Sequence, residues 1–196
     1  MNARTMSRSL HGRTAQGVPR WAVLAAYATT LTALPSCVWR IAAMIFDVPL
    51  LEHRPDLQGS PALSAGWWYI IALSVVSEAL AFLAVGLVAE WGQVWPRWIP
   101  GLGGRRVPTL AAVIPAGLGA TLLMVFPYAM VMFAFGLTLT GEPGGVITHG
   151  WQTVVFWAAY LPLAAWGPLL GVLTVHYYRR RRRAAAPGPA GLARAA

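Results

Sequence analysis

Glu90–Pro108 reads EWGQVWPRWIPGLGGRRVP. Three tryptophans at helical spacing (Trp91, Trp95 and Trp98) lead into a Pro-Arg-Trp-Ile-Pro turn, a Gly-Leu-Gly-Gly hinge and the pair Arg105-Arg106 ahead of Val107-Pro108. The chain on either side is almost purely apolar. Indoles favour headgroup depth, guanidinium groups reach phosphates, and Pro and Gly bring the chain around. The stretch is therefore expected to be a loop at a membrane–water interface joining two spans, with Trp91, Trp95, Arg97, Trp98, Arg105 and Arg106 as its interfacial residues.

Working outward, four apolar runs emerge, at about 21–46, 67–89, 109–137 and 151–178. Each is long enough to cross a hydrocarbon core of about 30 Å at 1.5 Å per residue. The bulk composition agrees: 57% of the 196 residues are hydrophobic and 11% are charged, with a mean hydropathy of +0.56. A soluble domain carries about 25% charged residues, so this chain lacks the polar surface that water requires. Residues 1–20 form a basic tail, 21–178 a transmembrane domain, and 179–196 a basic, Ala/Pro/Gly-rich tail expected to be disordered.

The charges orient the spans. All 15 basic residues are Arg, and the net charge is +9. The N-terminal tail contributes +4, the 90–108 loop +2 and the C-terminal tail +6, whereas the 47–66 loop carries −2 and the 138–150 turn −1. Every basic segment falls on one side and both acidic segments on the other. The positive-inside rule then predicts an all-α integral membrane protein, a four-helix up-down antiparallel bundle with both termini cytoplasmic. Trp21 and the Trp91/95/98 set would mark the inner surface, and Trp67, Trp68 and Trp151 the outer.

A basic leader followed by Leu34-Pro35-Ser36-Cys37 loosely resembles a lipoprotein cleavage box. The apolar run continues through Val38-Trp39 to Phe46, well beyond a signal core of about 7–15 residues, so it is read as a span. The single Cys37 excludes an internal disulfide, a CxxC redox pair and a Cys-rich metal site, and is expected to be a small packing residue.

Two ionisable residues fall inside the spans. Glu78 lies near mid-depth of the second run, where an unpaired carboxylate is costly, which makes it a functional candidate by default. Ser74 and Ser77 lie on its face. On the first run Thr29, Thr32, Ser36 and Arg40 recur at intervals of three and four, forming a polar stripe. Consecutive helices normally pack together, so the two stripes are expected to face each other. Two readings stand. Arg40 and Glu78 pair or share a hydrated pocket, or Arg40 snorkels toward Asp47 and Glu78 is a structural hydrogen-bonder.

Pro115, Pro127, Pro162 and Pro168 interrupt the third and fourth runs, and the second has no Pro. Each removes a backbone hydrogen bond and kinks a helix, which serves packing or exposes carbonyls to a central site. Gly117, Gly119, Gly167 and Gly171 are candidate close-contact points between helices. The four His offer no facing pair for haem. His53 and His149, with Glu52, Asp56 and Glu142, match no metal-ligand spacing, so no metal or cofactor is expected. No G-x-S-x-G, H-E-x-x-H or phosphate loop is present. Arg179–Arg183 abut a span and Tyr177-Tyr178, which points to anionic lipid headgroups rather than nucleic acid as their partner.

The pattern Trp91-Gly92-x-x-x-Pro96-Arg97-Trp98-x-Pro100-x-x-Gly103-Gly104-Arg105-Arg106-Val107-Pro108 resembles a loop in small four-span membrane proteins of actinobacterial type. The similarity covers the second and third runs, about a third of the chain. It implies the topology and a bacterial origin and transfers no active site. The residues themselves favour a structural or regulatory membrane protein without catalytic apparatus. A small transporter or channel-like protein using Arg40 and Glu78 is the alternative, and a membrane enzyme acting on a lipid is a third class.

Overall fold

The computed structural model describes residues 14–46, 48–50, 66–95, 100–101, 103–144 and 150–185. The described residues are helical, with isolated β-bridges and no strand. Four helical spans are long and apolar enough to cross a membrane: Arg20–Met44, Trp67–Gly86, Thr109–Ala134 and Trp151–Ala184. The first is the unbroken helix α1 (Arg20–Met44) and the second is α2 (Trp67–Gly86). The third divides into α3 (Thr109–Leu123) and α4 (Val125–Ala134). The fourth divides into α5 (Trp151–Tyr160), a 3₁₀ turn at Pro162–Ala165, and α6 (Trp166–Ala185).

Proline explains the divisions. Pro127 has no N–H to give the Leu123 carbonyl, and α3 ends there. Pro162 likewise cannot bond Ala158, and the helix tightens into the 3₁₀ turn. Pro35 and Pro115 lie within α1 and α3, which run on through them. The two broken places pack together. A Cβ on Gly167 would lie 3.0 Å from the Leu123 carbonyl carbon and 3.1 Å from the Met124 nitrogen, so glycine lets two backbones touch. Gly171 faces Ala120, and Gly119 faces Leu170, at ordinary contact distance.

Two helix ends differ from the apolar runs. α2 stops at Gly86, and Leu87–Ala89 form a turn that pairs with the segment ahead of α1 through the Thr14–Ala89 bridge and Ala15 N–H donating to Val88 O at 2.9 Å. At the other extreme, α6 runs past Tyr178 through Arg179–Arg183 to Ala185. Arginine is a good helix former, and its charge favours a helix C-terminus.

α1 is central. It packs on α2 to one side and on α5, the 3₁₀ turn and α6 to the other, while α3 packs on α6. The lateral order is therefore α2, α1, α6, α3. The α1–α2 contact is built from small residues: Ala22 and Ala26 cluster with Ala84, and Ala33 with Ala81, all but Ala84 with no exposed surface at all, and Thr29 and Ser36 of α1 are as fully buried. In a lipid setting such residues let backbones approach and gain dispersion contact. Large apolar side chains point outward instead, among them Leu24, Leu31, Leu122, Phe135 and Val154, each more than 60% exposed. A water-facing surface of that kind would be untenable, and a hydrocarbon-facing one is natural.

Candidate functional site

The hydroxyls of the α1 stripe turn back on their own helix. Thr29 Oγ1 donates to Ala25 O at 2.8 Å, Thr32 Oγ1 to Thr29 O at 2.7 Å, and Ser36 Oγ to Ala33 O at 2.8 Å. Ser77 does the same on α2, donating to Leu73 O at 2.7 Å. Back-bonded hydroxyls of this kind behave as small, satisfied packing groups. The link across the seam is made by Cys37, whose Sγ lies 3.7 Å from Ser74 O and accepts from Arg40 Nη2 at 3.3 Å.

Arg40 and Glu78 are both half-buried, and among the described residues they form no ion pair. Arg40 Nε, Ser74 Oγ and Glu78 Oε2 are buried atoms without a hydrogen-bond partner. The structure thus brings Ser74 and Arg40 to Cys37, bonds Thr32 and Ser36 to their own helix, and leaves Glu78 Oε2 without a hydrogen bond to any of them. Asp47 and the 51–65 loop, with His53, Glu52 and Asp56, lie outside the described residues, as does His149.

The stretch 90–108 forms a hairpin. Val94 bridges Arg106, Trp95 N–H donates to Arg105 O at 2.9 Å, Gly104 N–H to Trp95 O at 3.0 Å, and Val107 N–H to Gln93 O at 2.9 Å. Trp91 and Trp95, spaced as on a helix, are instead on a short 3₁₀ turn (Trp91–Gln93) and the first hairpin arm. Backbone pairing with 104–107 gives the expected loop its hairpin form. Arg97 and Trp98 lie outside the described residues. Trp91 folds back along α2 and stacks on Phe82, with ring centroids 5.9 Å apart and planes within 9°. That return requires two glycines. A Cβ on Gly92 would overlap the Gly86 carbonyl, and one on Gly86 would sit 3.0 Å from the Trp91 ring.

The hairpin joins α2 and α3, the two outermost members of the row, and between them lies a cleft of about 590 Å³. Leu80, Leu83 and Leu87 line one wall, and Ala111, Pro115 and Leu122 the other. Trp166 and Leu170 of α6 form its back, and Trp91 and Trp95 reach in from the hairpin. Among the described residues, no lining side chain carries a hydroxyl, amide or charge, and neither Arg40 nor Glu78 belongs to the lining.

α6 pins both walls at one end of this cleft with arginine. Arg180 Nη2 donates to Leu87 O at 3.3 Å, and Arg181 Nη2 to Val107 O at 2.7 Å, one on each wall. Both guanidinium groups lie over the buried Tyr177 ring, 5.6 and 5.9 Å from its centroid, within cation–π range. Arg179, Arg182 and Arg183 face outward from the same helix. Arg180 Nη1 and the Tyr177 hydroxyl are buried without partners. Sequence reading treats Arg179–Arg183 as one uniform basic run. The signal that divides it is the spacing Tyr177, Arg180, Arg181, three and four residues apart on one helix face. Comparison of the chain with protein families, curated proteins and solved structures gives no match, so the site is read from its own geometry.

Proposed function

We propose that this chain is a non-catalytic, multi-pass protein of a bacterial plasma membrane. It is structural or regulatory in role and acts through a basic cytoplasmic end that meets anionic lipid headgroups. Its four spans run antiparallel with both termini cytoplasmic. The observation that carries the reading is the state of the α1–α2 seam: Thr29 and Ser36 are wholly buried and their hydroxyls are satisfied within their own helix. A permeation path needs wet, outward-turned polar groups, and this seam is packed with back-bonded ones.

The antiparallel order is supported by Ala15 meeting Val88 while Cys37 meets Ser74, further along α1 and further back along α2. The same register sets Glu78 opposite Ala33 and puts Arg40 about 10 Å further along the bundle, at 1.5 Å of rise per residue. Trp21 packs edge-on against His176 at 5.0 Å, bringing the start of α1 beside the middle of α6, ahead of its arginines. Arg20, Arg105, Arg106 and Arg179–Arg183 then share one end, each worth about 1 kcal/mol at an anionic surface.

The test is single-cysteine labelling with a membrane-impermeant maleimide, the buried Cys37 serving as the silent background. Thr140→Cys is expected to react in intact cells, and Gln16→Cys and Ala184→Cys only after lysis. The opposite pattern would overturn the topology and with it the basic cytoplasmic face.

A second reading, a small transporter, is favoured by one observation: Glu78 Oε2 and Arg40 Nε are buried without partners inside the membrane domain. In proteoliposomes it requires wild-type protein to dissipate an imposed pH or cation gradient and Glu78→Gln to lose that flux. A tight wild-type vesicle sinks it.

A further inference from the structure

The cleft between α2 and α3 is open, apolar and rimmed by cations, and these three properties together select an occupant. From Ala111 to Leu122 its α3 wall rises eleven residues, about 16 Å. One leaflet of a hydrocarbon core of about 30 Å is about 15 Å deep. The cleft therefore has the depth of a single leaflet, and its volume of about 590 Å³ falls within the range of about 300–1,000 Å³ common for pockets that hold small ligands. Its lining offers little to a polar ligand and continuous apolar contact to a hydrocarbon chain.

The rim supplies the other half. Through their backbones Arg106 bridges the lining residue Val94, and Arg105 O accepts from the lining residue Trp95, which sets both residues on the hairpin arm beside the cleft. Arg180 and Arg181 hold the carbonyls of Leu87 and Val107, which also line the cleft. Arg105 and Arg106 are exposed, and Arg180 keeps one buried N–H group without a partner. Buried donors on a cation are costly unless an acceptor meets them, and phosphate oxygens are the strongest acceptors available at that depth.

We propose that the α2–α3 cleft seats one acyl chain of an anionic phospholipid, with its phosphate held by Arg105, Arg106, Arg180 and Arg181. The inference rests on the reading that the hairpin lies at the inner membrane surface, and it adds a defined chain site to what would otherwise be diffuse attraction of basic residues to a charged leaflet. A resident lipid also explains why α2 and α3 remain apart: the chain fills the space that packed side chains would otherwise fill.

The test is native mass spectrometry of the full chain, purified in detergent and offered phosphatidylglycerol or phosphatidylcholine with identical acyl chains. One phosphatidylglycerol is expected to stay bound under conditions that strip phosphatidylcholine. Ala111→Phe, which fills the cleft from its exposed wall, should lose the retained lipid. Arg105→Gln with Arg106→Gln alters exposed side chains only and should keep the helical circular dichroism. It should lower phosphatidylglycerol retention about twenty-five-fold, the ratio given by about 1 kcal/mol per guanidinium. Arg182→Gln, on the outward face, serves as the control and should change retention little. Equal retention of the two lipids, or full retention in Ala111→Phe, overturns the site. A dimer mass in place of a lipid adduct overturns it in favour of a second copy. Reversed cysteine labelling alongside intact phosphatidylglycerol retention would instead sink the topology and leave the lipid site standing.

Discussion

Two pairs of sequence-adjacent spans pack in opposite ways. α1 and α2 meet along a dry seam of Ala, Ser and Thr, with Ala22, Ala26, Ala33 and Ala81 showing no exposed surface. α2 and α3, joined by a hairpin, stand apart around a cleft of about 590 Å³. The difference shows that a direct linker does not by itself close two neighbours: the α3 wall of the cleft carries Ala111, Ala112, Ala116 and Gly119, small residues that face the cleft rather than a seam with α2. Where small residues face each other, backbones approach and dispersion holds them. On the walls facing the cleft stand Leu80, Leu83, Leu87 and Leu122, side chains that hydrocarbon solvates as well as a protein does. The hairpin is locked to α2 by the Gly86–Gly92 contact and the Trp91–Phe82 stack, and α6 pins both walls with Arg180 and Arg181.

The sharpest way to break this contrast is to enlarge a residue on the closed side. Ala33→Leu puts three more carbons where Ala33 has no exposed surface and clusters with Ala81, Leu163 and Trp166. Overpacking of this kind costs about 3 kcal/mol, to be read as a fall in thermal unfolding temperature in detergent. A stable Ala33→Leu protein would mean that the seam has slack and that small residues do not define it. Gly92→Ala tests the hairpin's attachment. Its Cβ would collide with the Gly86 carbonyl, and since that atom is backbone, the turn must shift at a cost of about 2 kcal/mol. The loss should be accompanied by freer Trp91 fluorescence as the stack on Phe82 opens.

These contrasts were unevenly legible in the sequence. Span positions were plain, because runs such as Trp67–Gly86 offer no polar alternative to hydrocarbon surroundings. Pro127 and Pro162 were visible as breakers, yet Pro35 and Pro115 have the same covalent chemistry and sit inside continuous helices. What separates them is packing, since Gly167 seats against the Leu123–Met124 junction and stabilises the break there. The Thr32–Ser36–Arg40 stripe was legible as a face, but where its hydroxyls point was not, because back-bonding to the same helix and bonding across helices have one spacing. The cleft was hidden, since it depends on α3 packing with α6 rather than with its chain neighbour α2.

Arg181→Gln probes the clamp that keeps the cleft's end in place. The bond from Nη2 to Val107 O is short at 2.7 Å, but Arg181 is only half-buried, so solvent compensates part of its loss. A cost of about 1 kcal/mol is expected. Proteolysis or hydrogen exchange should locate the loosening at 103–108, with the seam unaffected. Loosening that spread to α1 and α2 would show that the two regions are one cooperative unit.

Glu78→Gln carries the smallest expected effect and bears on the closed side alone. Glu78 lies on α2, one turn from Ser74, and its buried Oε2 has no hydrogen-bond partner to lose. Breaking a buried ion pair leaves an uncompensated charge and costs about 3–5 kcal/mol. Replacing an unpaired carboxyl by its amide isostere removes an ionisable group from the hydrocarbon region and breaks nothing. Stability should therefore change by less than about 0.5 kcal/mol, with any shift toward stabilisation. A loss on the ion-pair scale would show that Arg40 and Glu78 meet within the bilayer. The seam would then be held by charge rather than by small side chains, and the contrast with the cleft would have to be redrawn as polar against apolar.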